Sequence, residues 1–406
     1  MLPILLGLVL ILSLGRLGGA LFEKLRLPAV LGELLAGIAL GNVGLLGFHG
    51  LEPLRADPTI AMLAQLGVLF LLFQVGLETD VARMRQVGTS SLVVAVLGVI
   101  APMVLGFWVT RAFFPAHAAL GNWFVGATLC ATSVGITARV LTDLGRTTSA
   151  EGRIILGAAV IDDVLGLLVL AVVQGLIAAQ DIGAAFHATT VLWIVGKAVL
   201  FLGAALIAGR WLSGRVFRVA AYLPGNGVLL TTAIAFCFLL AWLAGIVGLA
   251  PIVGAFAAGL VLEEVQYREL RERERHQHDV HELLQPLTTF LVPVFFVLMG
   301  MGVDLRVFAR GDILAFAGVL TAAAIAGKQA CSLGMLTPGV DRLAVGLGMI
   351  PRGEVGLIFA GIGATLTIGG ARVIDDAIYS AVIVMVALTT LLTPPLLVWR
   401  MRGAKA

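Results

Sequence analysis

The stretch Arg153-Ile-Ile-Leu-Gly-Ala-Ala-Val-Ile-Asp-Asp-Val-Leu-Gly-Leu-Leu-Val169 places two adjacent carboxylates in the middle of an apolar run. The run continues to about residue 178 without another charge. A helix of about 20 apolar residues crosses a hydrocarbon core of about 30 Å. Asp162 lies nine residues past Arg153, which is roughly 14 Å along a helix rising 1.5 Å per residue. That depth is close to the middle of a bilayer. A charge there costs several kcal/mol and marks function by default.

The rest of the chain reads the same way. Of its 406 residues, 60% are apolar and 13% charged, against roughly 25% charged in a soluble domain. Fifty glycines suit close helix contacts and interrupted helices in a membrane. The weak alternating pattern of an outer-membrane barrel is absent. The fold class is therefore an all-α polytopic membrane protein. The N-terminal run lacks a basic region before it and a clear cleavage site after it, so it reads as a retained helix. Cys130, Cys237 and Cys331 fall inside apolar spans. They read as small buried hydrophobes, with neither disulfide nor metal spacing. Basic residues are scattered through short loops, which speaks for membrane orientation and against a nucleic-acid partner.

Thirteen transmembrane spans are predicted, near 2–21, 28–47, 59–77, 89–112, 122–142, 153–178, 188–211, 226–247, 249–263, 283–303, 313–336, 342–367 and 375–399. Loops after odd-numbered spans, with the C-terminus, carry 17 lysines and arginines, against 5 after even-numbered spans. The positive-inside bias puts the C-terminus in the cytoplasm and the N-terminus outside, in the inner membrane of a bacterium.

The halves resemble each other. Pro28–Gly37 matches Pro251–Gly259 with one gap, Phe70–Glu78 matches Phe296–Asp304, and Ala131–Ile136 matches Arg352–Leu357, at offsets of 222, 226 and 221. The repeat spacing is seven spans, and an odd spacing reverses direction across the membrane. Spans 1–6 and 8–13 thus form an inverted-topology repeat, with span 7 as linker. Secondary transporters use such repeats, with the site at midplane on interrupted helices.

Polar groups on four spans reach one depth: Asp162 and Asp163 on span 6, Lys328 on span 11, Arg352 and Glu354 on span 12, Thr132 and Ser133 on span 5. Spans 5 and 12 are repeat partners with glycine, threonine or proline at that depth. They are expected to unwind and cross there, freeing carbonyls for a cation, with Arg352 and Glu354 balancing the exposed dipole ends. The bland reading is a pair of kinks with satisfied backbone. The repeat maps Asp162 and Asp163 onto Ile383 and Val384, and Lys328 onto about Leu105. The scaffold is symmetric and these charges are not, so they are the better candidates for chemistry. Adjacent carboxylates in low dielectric resist being ionised together. Their side chains diverge by about 100°, so one can face a cation path and the other Lys328. Carboxylates that hold a hard cation or protons, but not both, give exchange by competition. The bland reading of an aspartate–lysine contact is a static salt bridge.

With Ala131-Thr-Ser-Val-Gly-Ile-Thr-Ala-Arg-Val-Leu141, the double-aspartate run and Pro351-Arg-Gly-Glu-Val-Gly-Leu357, the chain resembles the NapA-type bacterial sodium/proton antiporters of the cation:proton antiporter-2 family over essentially its whole length. The resemblance implies a dimerisation domain (1–88 and 226–305), a core transport domain (89–180 and 313–400) and a linker helix (188–218). It implies a lipid-embedded homodimer with an elevator-like motion. Asp163 would be the main cation and proton carrier, Asp162 would pair with Lys328, and Thr132 and Ser133 would sit at the cation site. A lysine there goes with electrogenic exchange of two protons per ion. The Na⁺ or Li⁺ held by Asp163 and Asp162 would be cargo; no cofactor is implied.

Weaker signals remain. His276, His278 and His281 could sense pH or be incidental in a solvated loop. Glu78 could line a cytoplasmic funnel, but Asp304 at its repeat position suits a helix-end role. Lys197 on span 7 is expected to snorkel. K⁺/H⁺ exchange by the same residues is the nearest rival function, followed by a sodium-coupled organic-anion symporter. A channel lacks its repeated filter, and no nucleophile–base pair or phosphate loop suggests an enzyme.

Overall fold

The structure, a computed structural model, describes residues 2–25, 27–47, 51–78, 88–181, 188–220, 222, 227–262 and 280–403. The stretch 263–279, with His276 and His278, lies outside the described residues, as does the side chain of Glu354.

The described residues form sixteen α-helices: α1 (Leu2–Lys24), α2 (Ala29–Gly41), α3 (Glu52–Arg55), α4 (Pro58–Glu78), α5 (Thr89–Phe113), α6 (Ala119–Thr128), α7 (Val134–Asp143), α8 (Ala150–Asp181), α9 (Ala188–Ala220), α10 (Val228–Val247), α11 (Pro251–Val261), α12 (Val280–Met301), α13 (Gly311–Ala330), α14 (Arg342–Gly348), α15 (Glu354–Thr365) and α16 (Asp376–Gly403). Among them, nine are long and apolar enough to cross a membrane, and three shorter apolar segments accompany them. The protein is a multi-pass helical membrane protein. A two-stranded hairpin, β1 (Thr367–Ile368) with β2 (Ala371–Arg372), links α15 to α16.

The end of α9 departs from its hydropathy boundary for a physical reason. The apolar pattern near residues 188–211 stops at the membrane edge, but α9 runs on to Ala220, where Arg215 stacks over the Trp211 ring. Hydropathy reports the membrane, whereas the backbone stays helical as long as side chains permit. The interior breaks have the opposite cause. No charge or proline falls within 119–138, yet the helix stops at Thr128 and restarts at Val134. It likewise stops at Gly348 and restarts at Glu354 across Met349-Ile-Pro-Arg-Gly353. In the second break Pro351 disfavours helix at Ile350 and cannot donate a backbone hydrogen bond.

Packing sorts the helices into two groups. Helices α1, α2, α4, α10, α11 and α12 pack chiefly on one another, and α5–α8 with α13–α16 do the same. Helix α9 touches α8, α10 and α11. In the first group, glycines let backbones meet. A Cβ on Gly300 of α12 would lie 2.1 Å from the Leu34 carbonyl oxygen of α2, and one on Gly259 of α11 would lie 2.3 Å from the Phe73 carbonyl oxygen of α4. Small residues at helix crossings are the usual means of close packing in lipid. Gly300→Val should therefore force α2 and α12 apart and lower the melting temperature of the purified protein, at a cost of about 1–3 kcal/mol. An unchanged melting temperature would show that the crossing can relax freely.

Candidate functional site

Helices α5 and α13 cross closely because Gly327 presents no side chain to Pro102; a Cβ there would lie 2.6 Å from the Pro102 Cα. That approach sets Lys328, one residue on, beside α8 and opposite Gly98 of α5. Lys328 Nζ donates to both carboxylate oxygens of Asp162, at 2.8 and 3.0 Å. Both side chains are fully buried. A Cβ on Gly98 would lie 3.4 Å from Lys328 Nζ and 3.6 Å from Asp162 Oδ1, so α5 closes the ion pair from above with bare backbone. Gly98 was not singled out in the sequence, where nothing separates it from the other glycines.

Asp163 is also buried, with 9% of its surface exposed against 0% for Asp162. One residue turns a helix by about 100°, so the two carboxylates leave α8 on different faces. A single buried lysine is shared by the two oxygens of one of them.

The two helix breaks meet beside this pair. Ser133 N donates to the Pro351 carbonyl at 2.8 Å. The Thr132 hydroxyl donates to the Met349 carbonyl at 3.2 Å and the Thr137 hydroxyl to the Gly348 carbonyl at 2.7 Å. Gly353 faces Ser133 so closely that a Cβ would lie 2.6 Å from the Ser133 hydroxyl oxygen. Donors on the first broken segment thus satisfy carbonyls that the second has released, as buried backbone requires.

Arg352 completes the arrangement. Its guanidinium, fully buried, donates to the carbonyls of Ala131 at 3.2 Å, Met349 at 3.4 Å and Ala324 at 3.3 Å. Ala131 and Met349 lie just past the C-terminal ends of α6 and α14, where the helix dipole is negative. Thr390 of α16 donates its hydroxyl to the Arg352 carbonyl. Glu354 begins α15, so its backbone stands at the opposite, positive dipole end. Thus Asp162, Lys328, Thr132, Ser133 and Arg352 converge where four helices meet, with Asp163 on the same turn of α8.

The weaker candidates sit elsewhere. Glu78 accepts from Gln74 at 3.1 Å and lies 2.8 Å from His281 Nε2, joining the ends of α4 and α12. Asp304 caps the turn before α13, and the hydrogen bond from the Arg306 side chain holds its carboxyl below the ordinary carboxylate range. Lys197 reaches the Val247 carbonyl at 3.5 Å and lies 5.8 Å from the Trp193 ring centre.

A family model described as "Sodium/hydrogen exchanger, transmembrane" matches residues 9–400. The high-affinity Na(+)/H(+) antiporter NhaS3 of a Synechocystis strain is 38% identical, over 99% of this chain and 90% of that one. The Na(+)/H(+)-K(+) antiporter GerN of Bacillus cereus is 32% identical, over 98% and 96%. In fold, the chain is similar to the sodium proton antiporter MjNhaP1 of Methanocaldococcus jannaschii, with a TM-score of 0.71 at 17% identity, covering 99% of this chain and 98% of that one. These relatives are transporters and not enzymes.

Proposed function

The chain belongs to the transmembrane sodium/hydrogen exchanger family, and from that premise we propose that it exchanges Na⁺ or Li⁺ for protons across the bacterial inner membrane. The observation that carries this reading is the buried Lys328–Asp162 pair, with Asp163 beside it where the two interrupted helices touch. Asp163 carries either the cation or a proton. Thr132, Ser133 and the freed carbonyls of the breaks supply further oxygens, the ligands that a hard cation takes. Arg352 and Glu354 hold the dipole ends in place, and Lys328 couples the second proton through Asp162. On this account each turnover moves two protons against one cation and carries net charge.

The two packing groups support a division of labour. Helices α5–α8 and α13–α16 form the moving core, and α1–α4 with α10–α12 form a scaffold that dimerises. The α2–α12 and α4–α11 crossings are those an inverted repeat would exchange, and together with the meeting of the two breaks they support that repeat. Pairing α6 with α7 and α14 with α15 gives thirteen crossings, with the C-terminus in the cytoplasm.

Exchange is tested with purified protein in liposomes holding an internal pH dye, pulsed with NaCl, LiCl, KCl or choline chloride. A pH change with Na⁺ and Li⁺ alone is expected. A response to K⁺ would move the protein to potassium exchange by the same residues, a second reading that the Na(+)/H(+)-K(+) relative keeps in view. Silence with every cation would overturn exchange and point to sodium-coupled uptake of an organic anion.

A further inference from the structure

A cavity of about 330 Å³ lies between the two helix groups, away from the buried ion pair. One wall is α4 and α12, through Val68, Phe295 and Met299; the other is α15, through Ile358 and Ile362. Phe295, Met299 and Ile358 are buried. The charged lining is confined to residues that are half-exposed: Arg55 at the end of α3, Arg372 on β2 and Asp376 at the start of α16. This end of the cleft is the face that the distribution of basic residues puts outside.

The rim has an unequal charge count. Asp376 Oδ1 receives both guanidiniums, Arg372 at 3.3 Å and Arg55 at 3.7 Å. Arg55 also donates to the Gly302 carbonyl at 3.0 Å. Two cations thus share one carboxylate oxygen above an apolar hollow. Ligand sites commonly have this form, an apolar pocket of about 300–1,000 Å³ with a few convergent polar groups. At about 30 Å³ per water-sized group, the hollow accepts a chain of roughly ten atoms. Arginine forks match oxyanions, and among the lining residues two guanidiniums stand against one carboxylate.

We propose that this cavity binds a single-chain amphipathic anion, with its head group between Arg55 and Arg372 and its tail along Met299, Phe295 and Ile358. The occupant touches both helix groups, so it wedges one against the other and slows exchange. The effect on exchange rests on the transport reading above; the binding does not.

The probe is 1-decanesulfonate, a strong acid that stays charged and carries no protons across a bilayer. Binding is measured by calorimetry on the full chain in lipid nanodiscs. One saturable site per chain is expected, with affinity falling at least tenfold in Arg55→Gln/Arg372→Gln. Ala64 of α4 is a buried lining residue of the cavity, and Ala64→Phe, which fills the apolar space while leaving the arginines, should abolish binding. The two variants change different parts of the site, and melting temperatures establish that each is folded. Decyltrimethylammonium, with the same tail and the opposite head, should show no saturable binding. Equal affinity in wild type and both variants, equal binding of the cationic amphiphile, or no saturable binding would overturn the proposal. Weaker apparent affinity in discs of anionic lipid would support the site with a bilayer lipid as competing occupant, and unchanged affinity would support it with a soluble amphiphile. In liposomes, Arg-dependent inhibition of sodium-driven proton flux supports the wedge. If the unliganded protein exchanges no cation, the transport reading fails while the binding result stands.

Discussion

Asp163→Asn is expected to reduce sodium-driven proton movement in liposomes on the order of 100-fold or more, with folding intact. The change keeps the shape of the side chain and removes its charge. Unit charges about 4 Å apart gain about 4 kcal/mol at an effective dielectric constant near 20, and each 1.4 kcal/mol is about a factor of ten. Cation binding therefore collapses. An amide also cannot take up a proton as a carboxylate does, so both halves of the exchange fail together. The two Lys328 hydrogen bonds go to Asp162, so removing the charge of Asp163 leaves the Asp162–Lys328 contact in place. The melting temperature should thus stay close to wild type. Activity within tenfold of wild type would remove Asp163 from the carrier role and leave Asp162 as the ion-binding carboxylate.

The contrast between these two aspartates shows how far sequence reading reaches. Their depth is legible from the apolar run between Arg153 and residue 178, because lipid imposes one length on every span. The breaks at 129–133 and 349–353 are legible from glycine, threonine and proline in the middle of such runs, since those residues loosen a helix wherever it lies. Which aspartate meets Lys328 follows from the rotational phase of α8 against α13, and neither composition nor depth specifies that phase. Arg352 is visible as a charge at midplane, yet its three carbonyl partners come from α13 and from both breaks, a convergence created only by folding. The Arg55–Asp376 contact across the cleft has no sequence signal at all, because each residue alone reads as an ordinary loop or helix-end charge. Gly98 is silent for the opposite reason: its contribution is the absence of a side chain facing the Asp162–Lys328 pair.

Lys328→Ala should produce the largest loss of stability of any single change at the site. Both partners of the pair are fully buried. Removing one leaves a carboxylate in low dielectric with its two hydrogen bonds gone, and breaking a buried pair this way costs about 3–5 kcal/mol. Replacing both members with apolar side chains of similar volume removes the stranded charge. Asp162→Leu/Lys328→Met should therefore recover most of the melting temperature lost by Lys328→Ala, and this separates the structural share of the pair from its share in coupling. A static salt bridge predicts that the double variant exchanges ions with wild-type charge movement once folded. A coupling lysine predicts that the double variant, though stable, has lost one of two proton carriers. Sodium uptake should then become insensitive to membrane potential, measured as current on a supported membrane beside the pH-dye signal. Full electrogenic exchange by the stable double variant would reduce Lys328 to a structural group. Stability recovered without potential-driven exchange would assign the second proton to the Asp162–Lys328 pair.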